Sequence, residues 1–224
     1  MSTTDTGRPV FSPADPAPLG LAAFALTTFL LSGHNASFIP DGIWLGAALF
    51  YGGLVQLCAG MWEFRNQNVF GATAFASYGG FWLSLGAFVA LLTTSSGFAG
   101  TFQGADVDNS LAWFLVAFAI FNTYMLLWST RVNIAVLGVF LTLEVTEIIL
   151  AIGFFQIAHG KSDYVLHVGG WAGVVTAGVA WYTSAAGVVN GMAPRAVVPV
   201  GRPLWSELPE LSSAKSPMPR RTEG

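Results

Sequence analysis

The chain has 224 residues, of which 54% are hydrophobic and 9% are charged, and its mean hydropathy is +0.61. Soluble domains carry charge on about a quarter of their residues, so this composition excludes an ordinary soluble domain. The formal net charge is −3, and the sequence contains neither a basic patch for nucleic acid nor a glycine loop for phosphate. The single cysteine excludes a disulfide framework within the chain.

Six apolar stretches, separated by short polar segments, follow one another along the chain. A helix needs about 20 largely apolar residues to cross the hydrocarbon layer, where every backbone polar group must be paired internally. The sequence therefore predicts an all-α membrane protein with six transmembrane helices. The predicted spans are roughly 17–33, 42–61, 70–93, 110–129, 133–157 and 164–189.

The positions of lysine and arginine predict the orientation of these helices. If both termini are cytoplasmic, only Lys161 among the nine basic residues lies outside, as the positive-inside rule expects. Residues 1–16 lack the apolar core of a signal peptide, so we expect a polar cytoplasmic N-terminal segment and a retained first span. The six-helix transmembrane domain is predicted over 17–190, and a flexible, proline-rich cytoplasmic tail over 191–224.

Two acidic residues, Glu144 and Glu147, lie inside the fifth span. A carboxyl group at mid-membrane costs about 2.5–3.5 kcal/mol on insertion scales, so it normally faces the bundle interior or a wet cavity. One interpretation is a hydrogen-bonded contact between helices or subunits. The other is a carboxylate that carries a proton along a permeation path.

The three histidines, His34, His159 and His167, lie in separate places without the spacing of metal ligands. No nucleophile, acid and base are grouped as an enzyme would need them. The sequence therefore predicts neither a metal nor a cofactor, and it does not predict an enzyme. Tryptophans near the span ends are interpreted as interfacial anchors. These are Trp44, Trp62, Trp113 and Trp128.

Small residues recur at helical spacing, which favours close packing between helices. Gly169, Gly173 and Ala177 form such a ladder on the sixth span, and Gly79 and Gly80 stand together in the third. The third span also carries hydroxyl groups that lipid does not require. They belong to Thr73, Ser77 and Tyr78.

The first span begins with the sequence DPAPLGL, in which Asp15 and Pro16 form a good helix start. This stretch resembles Asn-Pro-Ala-Pro-Leu-Gly-Leu, the signature of the acetate uptake transporter family, typified by bacterial succinate–acetate permeases. FALTTFLLS, FYGGLVQLCAGMWEF, NVFGATAFASYGGFWLS and HVGGWAGVV continue the resemblance over about 15–190. The residues aligned with the signature are Asp15, Pro16, Ala17, Pro18, Leu19, Gly20 and Leu21.

The resemblance implies a homohexamer in the plasma (cell inner) membrane, with a separate pore in each protomer for acetate and other short carboxylates. It implies a hydrophobic constriction at Phe24, Tyr78 and Leu143, and an influence of Ala180 and Leu143 on substrate size. Helix depth agrees, because the three constriction residues follow the starts of their spans by similar distances of roughly 10–15 Å. Thr73 and Ser77 are expected to line the path, and the carboxylate to pass together with a proton.

The chain departs from the family pattern at three positions. Asp15 replaces the asparagine of the signature, and Glu144 and Glu147 replace uncharged residues. The two glutamates are therefore the candidates for proton coupling. Two alternatives stay open: a passive anion channel on the same scaffold, and an acetate sensor that signals through its tail.

Overall fold

A computed structural model describes residues 13–205, which form helices joined by short turns, with no strand in that range. Six of the helices are long and apolar enough to cross a membrane, and the chain is a multi-pass membrane protein. The six predicted spans are confirmed. In chain order they are α1 (Ala17–Asn35), α2 (Ile43–Arg65), α3 (Val69–Thr94), α4 (Asp106–Ser129), α5 (Ile134–Ala158) and α6 (Tyr164–Met192).

The six helices form a ring in the order α3, α2, α1, α6, α5, α4. Aromatic side chains close the ring between α3 and α4, where Phe81 contacts Phe114 and Phe118 at ring-centroid distances of 5.0 and 4.8 Å. Because successive helices are antiparallel, α1, α3 and α5 run in the same direction and alternate around the ring. We call the end of the bundle at which these three helices begin the near end, and the opposite end the far end.

Helix α2 is not a regular α-helix along its whole length. Its middle turns, Phe50–Val55, are π-helical, and the helix is α-helical on either side. Gly52 lies in this segment against α1, where an added Cβ would stand 2.6 Å from the Thr27 hydroxyl oxygen. The π-helical segment thus includes a position at which α2 packs closely against α1.

The predicted small-residue packing is confirmed for the ladder on α6. A Cβ on Gly169 would meet the Leu150 side chain at 2.6 Å, a Cβ on Gly173 would overlap Ser32, and Ala177 is buried. The two residues of the Gly79–Gly80 pair have different surroundings. A Cβ on Gly79 would lie 2.7 Å from the backbone nitrogen of Leu57, whereas one on Gly80 would enter open space.

The near end holds the start of α1 and a tight turn between α2 and α3. Helix α1 begins at Ala17, the predicted first residue of the span, and the Asp15 carboxylate accepts a hydrogen bond from the Ala17 amide at 2.9 Å. The α2–α3 turn covers Glu63, which is completely buried and accepts a hydrogen bond from the Asn66 side chain at 3.3 Å. The sequence gives no sign that Glu63 is buried, because the residue stands next to a polar turn, where acidic residues are usually exposed.

The chain continues past α6 as an extended strap, residues 193–205, across the near end of α4, α5 and α6. Asn190 holds it through bonds to the amides of Val197 and Val198, at 2.7 and 2.9 Å. The Ala135 amide donates to the Val200 carbonyl, and the Leu204 amide donates to the Thr130 carbonyl. The sequence predicts a flexible tail from residue 191 onward, whereas these hydrogen bonds hold residues 193–205 against the helices. Residues 1–12 and 206–224 lie outside the described part of the chain, as do the predictions made for them.

The hydrogen bonds of Asn190 to the strap predict how a substitution at this residue changes proteolysis. Asn190→Ala removes the three hydrogen bonds that its side chain makes to Val197 and Val198, so limited trypsin digestion is expected to cut at Arg195 faster than in the wild type. Gly191→Ala is the matched control, because it adds a methyl group into open space beside the same turn. Equal cutting rates for the two variants would show that Asn190 does not hold the strap.

Candidate functional site

A cavity of about 350 Å³ enters the helix ring from the far end. Its walls are mainly apolar and aromatic, with a few polar groups, which is the usual character of a small-molecule site. His34, Asp41 and Trp44 lie at its mouth, and Phe24, Tyr78 and Leu143 line its inner part. The cavity therefore leads from one end of the bundle toward the predicted constriction.

The three constriction residues are brought together by α1, α3 and α5. Phe24 and Tyr78 meet edge to face, with ring centroids 5.8 Å apart, and Leu143 belongs to the same buried cluster. Tyr78 is fixed further by Phe81, Phe118 and other rings of α3 and α4. On α1, α3 and α5 the lining of the cavity begins at these three residues and includes none nearer the near end.

The mouth of the cavity is built around Asp41. Its carboxylate accepts hydrogen bonds from the Trp44 indole at 2.7 Å and from the Gly42 amide at 2.8 Å, and it lies 3.8 Å from the His34 ring nitrogen. Trp44 is buried and stacks on His34, so its interpretation as a lipid anchor is wrong. The other three tryptophans of that group are exposed on the protomer surface, as anchors would be.

A buried hydrogen-bond network runs from the cavity wall to the outside of the bundle. The Tyr78 hydroxyl lies 3.0 Å from the Asn122 carbonyl oxygen and 3.2 Å from Glu147 Oε1. Asn122 is completely buried, and its amide nitrogen donates to the Phe140 carbonyl at 2.9 Å and to Glu144 at 2.6 Å. Asn122 is therefore the central member of the network, a role that the sequence alone did not reveal.

Counting hydrogens assigns a proton to this network. Both hydrogens of the Asn122 amide are used, so its carbonyl oxygen faces Tyr78 as an acceptor. The Tyr78 hydroxyl has a single hydrogen, yet it contacts two oxygens that are both acceptors when Glu147 is ionised. Protonation of Glu147 on Oε1, with donation to the Tyr78 oxygen, gives each of the two contacts its own hydrogen. A neutral carboxyl also suits a residue that is 2% exposed inside a membrane bundle.

Glu144 lies in a different environment from Glu147. It is half-buried between α4 and α5, at the outer surface of the helix ring. It accepts a hydrogen bond from Asn122 and lies 2.8 Å from the Thr123 hydroxyl oxygen. The two acids predicted together thus have different surroundings: Glu147 lies on the cavity wall, and Glu144 lies at the contact between α4 and α5. Three residues correspond to about 300° around a helix, so the two side chains leave α5 only about 60° apart.

Comparison with known proteins identifies the family. A family model described as "GPR1/FUN34/yaaH family" matches residues 5–202. The chain belongs to this family. Acetate permease A of Emericella nidulans is 40% identical over 205 residues, which cover 86% of this chain and 67% of that protein. The chain spans about two thirds of the length of its fungal relatives, for which the covered share is 63–67%.

Bacterial members of the GPR1/FUN34/yaaH family match over nearly their whole length. The succinate-acetate/proton symporter SatP of Escherichia coli K12 is 37% identical over 191 residues, 84% of this chain and 95% of that protein. A solved structure of the bacterial acetate channel SatP superposes with a TM-score of 0.75 at 35% identity, covering 85% of this chain and all of that one. These relatives are named as transporters and channels, and none of the three as an enzyme.

Other residues predicted from the resemblance to the family lie away from the cavity. Thr73 and Ser77 are not among its lining residues. Thr73 lies more than one helical turn nearer the near end than Tyr78, and Ser77 is turned about 100° away from Tyr78 around α3. The Thr73 hydroxyl bonds to the Val69 carbonyl of its own helix. Ala180 is buried on α6 in the core cluster that contains Leu143.

The DPAPLGL stretch packs at the near end, away from the cavity. There the Pro18 carbonyl accepts a hydrogen bond from Ser184 at 2.6 Å, and a Cβ on Gly20 would meet the Phe75 ring at 2.7 Å. The described residues contain no group of three or more side chains placed to hold a metal ion. The predicted roles of these residues in transport stay predictions.

Proposed function

We propose that the protein carries acetate across the plasma membrane together with a proton, and that it also accepts succinate and related short carboxylates as substrates. The observation that carries this proposal is the far cavity, whose lining includes Phe24, Tyr78 and Leu143 at its inner end and Glu147 on its wall. The names of the relatives support the substrate class, since they include an acetate permease and a succinate-acetate/proton symporter.

The proton follows from the cost of moving charge through the apolar ring. Desolvating an ionised carboxylate without compensating partners costs several kcal/mol, whereas a protonated acid carries no net charge. Glu147, whose protonated form satisfies its contact with Tyr78, can pass protons next to the constriction. We infer that a proton from the outside solution reaches the carboxylate through Glu147, so that Glu147 is protonated before and after the transfer and the substrate enters the constriction as a neutral acid.

A passive anion channel is the second candidate, favoured by the solved relative, which is described as an acetate channel. In that case the carboxylate crosses ionised, and the glutamates have a structural role. The two candidates differ in a measurable way, since symport of one anion with one proton moves no net charge and a channel current follows the membrane voltage.

The arrangement in the membrane is part of the same proposal. With both termini cytoplasmic, the far cavity opens to the outside and collects substrate for uptake. A hexamer would cover outward-facing surface of each protomer, and Glu144 is the group on that surface for which lipid is the least favourable neighbour. We therefore expect Glu144 to lie at or close to a contact between subunits.

The deciding experiment is uptake of labelled acetate into proteoliposomes under an imposed pH gradient and, separately, an imposed voltage. Protein-free liposomes correct for acetic acid that crosses lipid unaided, and labelled succinate repeats the test with a solute that crosses lipid poorly. Symport predicts protein-dependent accumulation that follows the pH gradient at constant voltage. Flux that follows only voltage and the acetate gradient supports the channel, and uptake equal to that of empty liposomes rejects both.

The constriction makes a prediction about substrate size. Phe24→Ala removes one of the two rings that meet edge to face, so we expect butyrate uptake relative to acetate to rise about tenfold, the scale of discrimination for one or two methylenes. Phe29→Ala is the control, because Phe29 lies on the same helix but packs against Phe38 and Trp181. An unchanged butyrate-to-acetate ratio in Phe24→Ala would remove Phe24 from the constriction.

A further inference from the structure

Three buried polar side chains on the cavity wall have an atom without a hydrogen-bond partner. They are the Thr28 hydroxyl, the Trp82 indole N–H and Glu147 Oε2, whose residues are 4%, 3% and 2% exposed. Leaving such a group unpaired inside a protein costs about 1–3 kcal/mol. Three such groups around one cavity indicate an occupant that pairs with them.

Thr28 is unusual among the threonines of the bundle. Every other threonine on the six spanning helices donates its hydroxyl to a carbonyl four residues earlier on its own helix. The Thr28 hydroxyl makes no such bond and lines the cavity instead. Its hydrogen is therefore available to a solute.

Thr28, Trp82 and Glu147 form a second ring, one helical turn beyond the constriction, which we call the upper ring. Thr28 follows Phe24 by four residues, and Trp82 and Glu147 follow Tyr78 and Leu143 by the same interval. Residues four apart share a helix face and are separated by about 6 Å along the axis. Because α1, α3 and α5 run in the same direction, the upper ring lies on the far-end side of the constriction.

The chemistry of the upper ring matches an un-ionised carboxylic acid. The Trp82 N–H can only donate, and the Thr28 hydroxyl is free to donate. Glu147, with its proton on Oε1 toward Tyr78, presents Oε2 to the cavity as an acceptor. A neutral acid has one carbonyl oxygen for the two donors and one O–H for Glu147.

We propose that Thr28, Trp82 and Glu147 form a binding site for the protonated carboxyl group of the substrate, directly before the constriction. The site rests on the proposed transport of carboxylic acids and assigns the place where the acid is held. Its apolar surroundings disfavour an ionised carboxylate next to Glu147. The methyl group of acetate points toward the constriction, on the near-end side of the site. Trp82 and Thr28 are therefore substrate-binding residues in addition to Glu147.

Acetamide is the probe for this site, because it is neutral at all working pH values and carries one carbonyl acceptor and N–H donors. Acetone is its partner probe, since it has the carbonyl alone. The measurement is the half-maximal binding concentration of each probe, fitted from the logarithmic rise in melting temperature of the purified full-length protein in detergent as probe is added. Wild-type protein is expected to respond to acetamide at lower concentration than to acetone.

Conservative variants test each member of the ring. Trp82→Phe and Thr28→Val are each expected to raise the half-maximal acetamide concentration about tenfold, the effect of one lost hydrogen bond of about 1.4 kcal/mol. Glu147→Leu is expected to abolish the preference for acetamide over acetone, and Glu147→Gln, which keeps an acceptor, to restore part of it. Thr183→Val and Trp113→Phe are matched controls, since Thr183 bonds within its own helix and Trp113 faces outward.

The outcomes separate this site from the transport proposal. Unchanged half-maximal concentrations in Trp82→Phe, Thr28→Val and Glu147→Leu, each with a wild-type melting temperature without probe, would overturn the site and show that its groups pair with water. Acetate uptake by wild-type proteoliposomes would still stand in that case. If wild-type protein instead gives no uptake above empty liposomes, transport fails, and the acetamide measurement alone decides whether the ring binds a carboxyl-like group.

Discussion

Asn122→Ala is expected to destabilise the folded protein by about 2–5 kcal/mol and to lower acetate uptake. The Asn122 side chain makes three buried hydrogen bonds, to Tyr78, Glu144 and the Phe140 carbonyl. Hydrogen bonds between helices in membrane proteins contribute about 0.6 kcal/mol on average and up to about 1.7. Uptake falls because the Tyr78 ring loses the bond that sets its position in the constriction.

Thr123→Val is the matched control for this prediction. Thr123 is the next residue on α4 and also bonds Glu144, but its other partner is the Ala119 carbonyl of its own helix. We expect it to change stability by less than about 1 kcal/mol and to leave the butyrate-to-acetate ratio unaltered. Thermal unfolding in mild detergent measures the first effect, and equal losses in the two variants would contradict a central role for Asn122.

Gly79→Ala is expected to destabilise the protein by about 1–3 kcal/mol, the usual cost of adding a group to a packed interior. The added Cβ would stand 2.7 Å from the Leu57 backbone nitrogen and 2.8 Å from its Cα, and backbone atoms cannot move aside as a flexible side chain can. The expected result is separation of α2 from α3 and a lower midpoint of thermal unfolding.

Gly80 supplies the control one residue away. An added Cβ there meets nothing within 4 Å, and alanine favours a helix over glycine by about 1 kcal/mol. Gly80→Ala is therefore expected to leave the unfolding midpoint unchanged or to raise it slightly. A fall of equal size in both variants would mean that the loss of stability comes from replacing any glycine of this helix with alanine and not from the contact with Leu57.

The six helices can be predicted from the sequence for physical reasons. Apolar length determines where a chain crosses hydrocarbon, so the spans agree with the structure to within a few residues. Phe24, Tyr78 and Leu143 came from the family resemblance, and their similar depths in parallel helices made their meeting reasonable. Glu147 was identified because a carboxyl in an apolar helix needs a special environment.

The remaining parts of the site depend on which way each side chain faces. Ser77 was grouped with Tyr78 as path lining, yet adjacent residues differ by about 100° around a helix, and Ser77 does not line the cavity. Thr28 and Trp82 read as ordinary apolar-helix residues, and only the absence of a bonding partner distinguishes them. The π-helical turn of α2 leaves no signal in composition at all.

The strap over the near end also sets an order for the completion of the fold. The Ala135 amide and the Thr130 carbonyl flank the turn between α4 and α5, and their partners, Val200 and Leu204, are made only after α6. During synthesis this turn therefore emerges with two backbone groups that have no protein partner and must remain bonded to water. Val200 and Leu204 complete a corner that was translated long before them, so this part of the near end reaches its final form only after the sixth helix has left the ribosome.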